Sequence, residues 1–193
     1  MAKVSAKYLP ILQAFRADQL EPRHMLRGIC IESQGQGALL VSCDGRCLCV
    51  VHDKEAEVGV GRYTFNPDKR AINKTLGATR AEFKNGVIEL TDDYGLFIMS
   101  MAAPLMNENY TEWRHVVPVE FGHDPMPIDT SFFQKLSHLP KTGRYRPGIM
   151  IRNAKNGSLI TFSGLPEIFI VMMPLRGEDT DIQKWIGDLC AKS

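Results

Sequence analysis

The feature that most limits what this chain can fold into is a module that recurs about every sixty residues: a short strand, an amphipathic helix and three further strands. The first copy opens on Lys3-Val4-Ser5, carries Tyr8, Leu12 and Phe15 at helical spacing, and continues into three strands within 23–53. The second opens on Arg62-Tyr63-Thr64-Phe65, turns at Asn66-Pro67 into a helix with Ile72 and Leu76 that ends on Gly77, and continues with strands in 80–86, 87–93 and 94–104. The third opens within 119–128, places Phe132, Phe133, Leu136 and Leu139 on a helix closed by Pro140, and ends with strands in 147–153, 158–164 and 168–176. A chain of repeated strand–helix–strand–strand–strand units reads as an α+β protein of antiparallel sheets, and the resemblance given below implies that its helices lie on one face of them.

Local chemistry supports these boundaries. Asn66 is a good helix N-cap with Pro67 at the first helical position, and Asp129 or Thr130 caps the third helix. Asn85-Gly86 and Asn156-Gly157 fall at the same place in units two and three, and Asn-Gly is the dipeptide of tight primed hairpin turns. In the first unit, Cys43-Asp44-Gly45-Arg46 is read as a hairpin turn between two strands dense in Leu, Val and Cys. Alternation upstream puts Leu26, Gly28, Cys30 and Glu32 on one strand face and Ile29 and Ile31 on the other.

Three stretches, in this order, carry a family resemblance. Leu26-Arg27-Gly28 leading through Asp44-Gly45 to Leu48, then Asn109 to Pro118, then Val171 to Arg176, together resemble the bacterial sliding clamp, the ring-shaped beta subunit of DNA polymerase III. The resemblance implies a complete clamp-like domain over 1–118, half of a second over 119–177, and a C-terminal helical tail over 178–193. That tail has Asp179 or Thr180 as a cap and Ile182, Trp185, Ile186 and Leu189 on one helical face.

The resemblance also implies a pocket for short partner peptides. Leu26, Gly45, Leu48 and Val116 keep the family's residue types. Cys43 stands for a threonine, Arg46 for a histidine, Cys47 for an arginine, Thr111 for a proline and His115 for an arginine. Val171, Met173, Pro174, Leu175 and Arg176 complete the wall. The apolar part survives better than the polar rim, so the implied site is a slot that anchors a leucine or phenylalanine of a partner.

The net charge of +1 gives no whole-chain argument for nucleic acid, but the basic residues cluster on the helices. Lys7, Arg16, Lys69, Arg70, Lys74, Lys135 and Lys141 stand against only Asp18, Asp68 and Asp129. In clamp rings the helices face duplex phosphate without reading sequence, so the resemblance implies that these residues face DNA. The partners it implies are duplex DNA, a polymerase or repair protein held through a short linear motif, and further copies of the chain. A lone third unit exposes a helix stripe and a sheet edge, to be covered either by pairing of third units into a dimer, with two dimers closing a tetrameric ring, or by the tail. The alternative is an adaptor or decoy that binds clamp-interaction peptides or the resident clamp without encircling DNA.

Other classes have weaker support. Five cysteines without a secretion signal read as reduced thiols and point to a cytoplasmic address. Cys43, Cys47, Cys49 and His52 lack metal-site spacing, and no cofactor is implied. Gly59-Val60-Gly61 precedes a strand, not a helix, and so lacks the context of a phosphate loop. Asp92-Asp93 falls in a turn where solvated carboxylates are ordinary, and the chain reads as a non-enzyme.

Overall fold

A computed structural model of the chain describes residues 1–68, 77–122, 127–141 and 147–174. The strands are β1 (Ala2–Ser5), β2 (Ile29–Ser33), β3 (Ala38–Cys43), β4 (Cys47–Asp53), β5 (Glu57–Val58), β6 (Arg62–Phe65), β7 (Arg80–Lys84), β8 (Val87–Thr91), β9 (Phe97–Ala102), β10 (Ile149–Ala154), β11 (Gly157–Phe162) and β12 (Ile168–Met172). The described residues also form two α-helices, α1 (Leu9–Ala14) and α2 (Ser131–Lys135), and short 3-10 turns at Ala6–Tyr8, His24–Arg27, Trp113–Val116 and Leu136–His138. The helix expected after Pro67 lies outside the described residues, as does the tail.

The strands form two antiparallel sheets, a five-stranded one in the order β5-β1-β7-β8-β9 and a seven-stranded one in the order β10-β11-β12-β4-β3-β2-β6. The first two units exchange opening strands. β1 leaves its own unit to pair with β7, Val4 opposite Ala81, and β6 returns to pair with β2, Cys30 opposite Thr64. The third unit then extends the larger sheet, with β12 laid against β4 and Val171 opposite Leu48.

Period-2 alternation divides the larger sheet into two apolar faces. On β4, Cys47, Cys49 and Val51 join a core between the two sheets, while Leu48 and Val50 join a second cluster on the outer face. α1 and its C-cap Phe15 fill the inner core with Leu9, Ile11, Leu12 and Phe15, each fully buried, and α2 adds Phe132, whose ring meets Phe15 edge-on at 6.1 Å. Burial of a side chain of this size contributes about 1.5–3 kcal/mol, so α1 is held by packing more than by helix propensity. Both helices therefore lie on one side of the seven-stranded sheet.

Three local expectations are corrected. Leu26 and Gly28 are not on a strand: His24–Arg27 forms a 3-10 turn, and β2 begins at Ile29. Asn85-Gly86 makes the expected turn, with φ of 51° and 78° and Lys84 opposite Val87, but Asn156-Gly157 does not. There Gly157 already pairs with Ala154, at φ 154°, and a Cβ on it would lie 2.6 Å from the Met172 carbonyl oxygen. Crowding from β12 sets that glycine. The opening strand of the third unit is also not formed in 119–122 or 127–128.

Candidate functional site

A cavity of about 200 Å³ opens on the outer face of the seven-stranded sheet, away from α1. Its floor is Leu26 and Leu48 with Cys43. Met25 and Arg23 form one wall, Thr111, Glu112, Trp113 and Val116 the opposite one, and Gly45 and Met173 the lip. Four separate pieces of chain converge here because each carries an apolar residue that the sheet's outer face must cover. The 3-10 turn His24–Arg27 sets consecutive Met25 and Leu26 toward the same space, which a strand would have pointed apart.

Two polar devices hold the walls. On the side of 111–116, Glu32 accepts Arg114 Nη2 at 2.8 Å and pairs with Arg62 Nη2 at 3.3 Å, while Arg62 Nη1 reaches Glu112 at 2.7 Å. Arg114 also lies over the Trp113 ring, 4.4 Å from its centroid. Burial pushes the Glu32 carboxyl up, but the Arg114 hydrogen bonds and the Arg62 charge outweigh it and leave it below the ordinary range. On the other side, Asp44 Oδ1 accepts the N–H groups of Arg46 and Cys47 at 2.8 and 2.7 Å, and Asp44 Oδ2 pairs with Lys135 of α2. Arg46 and Gly45 are the central residues of the turn, with Gly45 at φ 91°, the primed-turn conformation that an ordinary residue resists. Met173 N–H donates to Arg46 O at 2.9 Å and brings β12's end to the same lip.

Of the expected pocket residues, Leu26, Cys43, Gly45, Leu48, Thr111, Val116 and Met173 line this cavity, and Val171 is buried in the cluster beneath it. Cys47 is not among them: its side chain points through the sheet into the inner core, and with Arg46 it borders a separate space of about 90 Å³ against α2. His115 and Pro174 are exposed and do not line the cavity, and Leu175 and Arg176 lie outside the described residues. Arg23, Met25, Glu112 and Trp113 were not anticipated. Gly28, a strand breaker just after Leu26, was the available signal for Met25, and the lone tryptophan of the 109–118 stretch was the signal for Trp113.

The expected DNA-facing residues do not form one set. Arg16 is 6% exposed and donates to Pro67 O at 2.8 Å and Asn66 Oδ1 at 3.1 Å. It braces the start of the second unit and presents no charge to solvent, and burial brings its pKa down to about 10, still well above neutrality. Lys135 is taken up by Asp44. Lys7 and Lys141 are exposed, and Lys69, Arg70 and Lys74 lie outside the described residues.

The fold itself has known counterparts. It matches DNA polymerase III subunit beta from Borrelia burgdorferi with a TM-score of 0.65 at 15% identity, over 92% of this chain and 65% of that one. The fold is that of a sliding clamp. The sliding clamp of Bacillus subtilis matches with a TM-score of 0.58 at 12% identity, over 92% of this chain and 65% of that one. The beta clamp of Helicobacter pylori, in a structure bound to a DNA ligase peptide, matches with a TM-score of 0.60 at 12% identity, over 90% and 65%. No protein-family model and no curated protein matches the sequence. The chain thus spans about 65% of the length of these clamps. Among the described residues, no helix is long and apolar enough to cross a membrane, and no group of three or more His, Cys, Asp or Glu is placed to hold a metal ion.

Proposed function

We propose that this chain is part of a clamp-like processivity factor, a non-enzyme that tethers a polymerase or repair protein to duplex DNA through the outer-face cavity. The observation that carries the reading is the cavity, an apolar slot at the junction of the first and third units of a clamp fold. At about 200 Å³ it is smaller than the roughly 300–1,000 Å³ of small-molecule sites and suits one or two apolar anchors of a peptide. The Helicobacter pylori neighbour bound to a DNA ligase peptide supports a peptide as the occupant. In this reading residues 1–118 are a complete domain and 119–177 half of a second, copies of the chain associate, and DNA is held without sequence preference through exposed cations such as Lys7, in the 3-10 turn before α1, and Lys141, beyond the turn Leu136–His138.

A second reading, a peptide-binding adaptor or decoy that does not encircle DNA, is favoured by one observation. Arg16 and Lys135, two of the cations assigned to DNA, are engaged within the protein. Titration with a Gln-x-x-Leu-x-Phe peptide tests the slot common to both readings. Met173→Asp, at a half-exposed lip position, is expected to weaken binding more than tenfold, and equal binding by both proteins rejects the slot. Duplex DNA affinity separates the readings: the tether predicts binding that falls steeply between 50 and 200 mM salt, and the adaptor predicts none.

A further inference from the structure

We propose that the tail of this chain, residues 178–193, fills the outer-face cavity of the same molecule with Trp185 as its anchor, so that a partner peptide binds only by displacing it. This rests on the reading of the cavity as a peptide slot and names the occupant that the slot has when no partner is present.

The path of the chain carries the argument. β12 ends at Met172, and Met173 N–H donates to Arg46 O at 2.9 Å, which fixes the next residue at the lip, where its side chain lines the cavity. Pro174, exposed, is the last described residue of the chain, and residues 175–193 follow it. The tail therefore sets out one residue beyond the cavity's own lining. The seven residues 175–181 reach up to about 25 Å when extended, ample for the chain to turn back to a mouth it has just left.

The chemistry of the two parts matches. Ile182, Trp185, Ile186 and Leu189 recur at the spacing of one helical face, a stripe that needs an apolar cover. The cavity offers one already walled, with Leu26 and Leu48 beneath and Met25, Val116 and Met173 around it. Phe133 of α2, 49% exposed, is the rival cover, but it is a single ring on a helix surface and encloses nothing. Before the stripe, Glu178-Asp179-Thr180-Asp181 carries three acids and no base. Arg46 stands beside the point where the chain leaves β12, its side chain 77% exposed and its one ion pair among the described residues a 3.7 Å contact with Asp129. An acidic segment passing this arginine brings the stripe to the slot. A large aromatic is the residue type that anchors best in such a pocket.

Tethering makes a weak contact effective. A segment held this close acts at an effective concentration on the order of 1 mM, so a tenfold weakening of a partner needs a tail with a Kd of only about 0.1 mM.

Titration of the full chain with the Gln-x-x-Leu-x-Phe peptide is the test. Trp185→Asp is expected to bind the peptide about tenfold more tightly than the wild type. Without any substitution, a synthetic peptide of residues 178–193 in excess is expected to compete with the Gln-x-x-Leu-x-Phe peptide for the wild-type protein. Equal or weaker peptide binding by Trp185→Asp, or no competition by the synthetic tail, overturns the contact. A gap between wild type and Trp185→Asp that widens as protein concentration rises places the tail in another copy's cavity, and overturns it as well. Met173→Asp, made in the Trp185→Asp chain, keeps the two proposals apart. Loss of Gln-x-x-Leu-x-Phe binding there, with equal affinities for wild type and Trp185→Asp, leaves the slot standing and strikes the tail. Binding of the synthetic tail that Met173→Asp abolishes, with no binding of the Gln-x-x-Leu-x-Phe peptide to any variant, does the reverse.

Discussion

Lys135 reaches from α2 to the Asp44 carboxylate at the tip of the β3–β4 turn, 91 residues away in the chain, and ties the third unit to the lip of the cavity. The same carboxylate shapes the turn through its bonds to the N–H groups of Arg46 and Cys47. The Arg46–Asp129 pair at 3.7 Å and the Met173 N–H bond to Arg46 O join the same two parts. One side chain therefore fixes both the local conformation of the lip and its position relative to α2.

The Lys135 and Asp44 side chains are only 26% and 16% exposed, so removing one partner leaves the other charge poorly hydrated. Lys135→Met is expected to lower the stability by about 1–2 kcal/mol, between the values for exposed and fully buried pairs. Because Gly45 and Cys43 move with the turn, peptide affinity is expected to fall several-fold in the same variant. A urea denaturation midpoint and a peptide titration check both. An unchanged midpoint would mean that the pair holds nothing.

Gly45 supplies the second prediction. Its φ of 91° is open to glycine and strained for other residues, and a Cβ there would also lie 2.4 Å from Arg23 Nη2. The guanidinium is the far end of a flexible, exposed side chain, and although its Nε donates to Glu21 Oε1 at 2.6 Å it can shift, so most of the cost is backbone strain. Gly45→Ala is expected to destabilise by about 1 kcal/mol and to displace Arg23 from the cavity mouth. Thermal melting reads the first effect. A shift in peptide affinity that vanishes in the Arg23→Ala background reads the second.

Much of this architecture was legible where local chemistry and burial agree. Arg62–Phe65 forms as read, and the alternation of Cys30 against Ile29 and Ile31 matches two apolar clusters on opposite sheet faces. Identical local signals with different surroundings were not legible. Asn85-Gly86 and Asn156-Gly157 diverge because β12 crowds only the second, and Arg16 and Lys7 share a helical region while only Lys7 reaches solvent. Leu26 and Leu48 of the cavity floor could be named because they repeat the residue types of the clamps that the sequence resembles. Its polar braces, Glu32–Arg114 and Lys135–Asp44, join residues 82 and 91 positions apart, and no local pattern marks such pairs.

The Glu32–Arg62–Glu112–Arg114 network predicts an acid-sensitive wall. Glu32 and Glu112 both titrate below the ordinary carboxylate value of 4.5, Glu112 chiefly through its hydrogen bond from Arg62. A carboxyl with a depressed folded pKa stabilises fully above its unfolded value, and that contribution disappears as pH falls through the folded one. Stability is therefore expected to drop from about pH 4.5 downward, and Glu32→Gln to flatten that part of the profile. At neutral pH Arg114→Ala, which also removes the contact with Trp113, is expected to cost about 1 kcal/mol. Urea midpoints across pH 3–7 for the three proteins decide it.

The buried thiols predict the opposite behaviour at high pH. Burial pushes Cys30 and Cys47 up to about 12, Cys49 further still, and Cys43 in the same direction, from an ordinary value of 9.0. Raised folded values favour the neutral thiol, so their contribution is complete below pH 9 and is lost as pH rises through the folded values. These four cysteines are expected to resist iodoacetamide at pH 8 until the chain is unfolded, because the reactive thiolate is scarce and enclosed. Cys43 and Cys47, each 7% exposed, are expected to label before the fully buried Cys30 and Cys49 in mild urea. A bound peptide then distinguishes the two sheet faces, slowing Cys43 in the cavity more than Cys47 on the inner side. Equal protection of both by the peptide would mean global stabilisation and no occupancy of the slot.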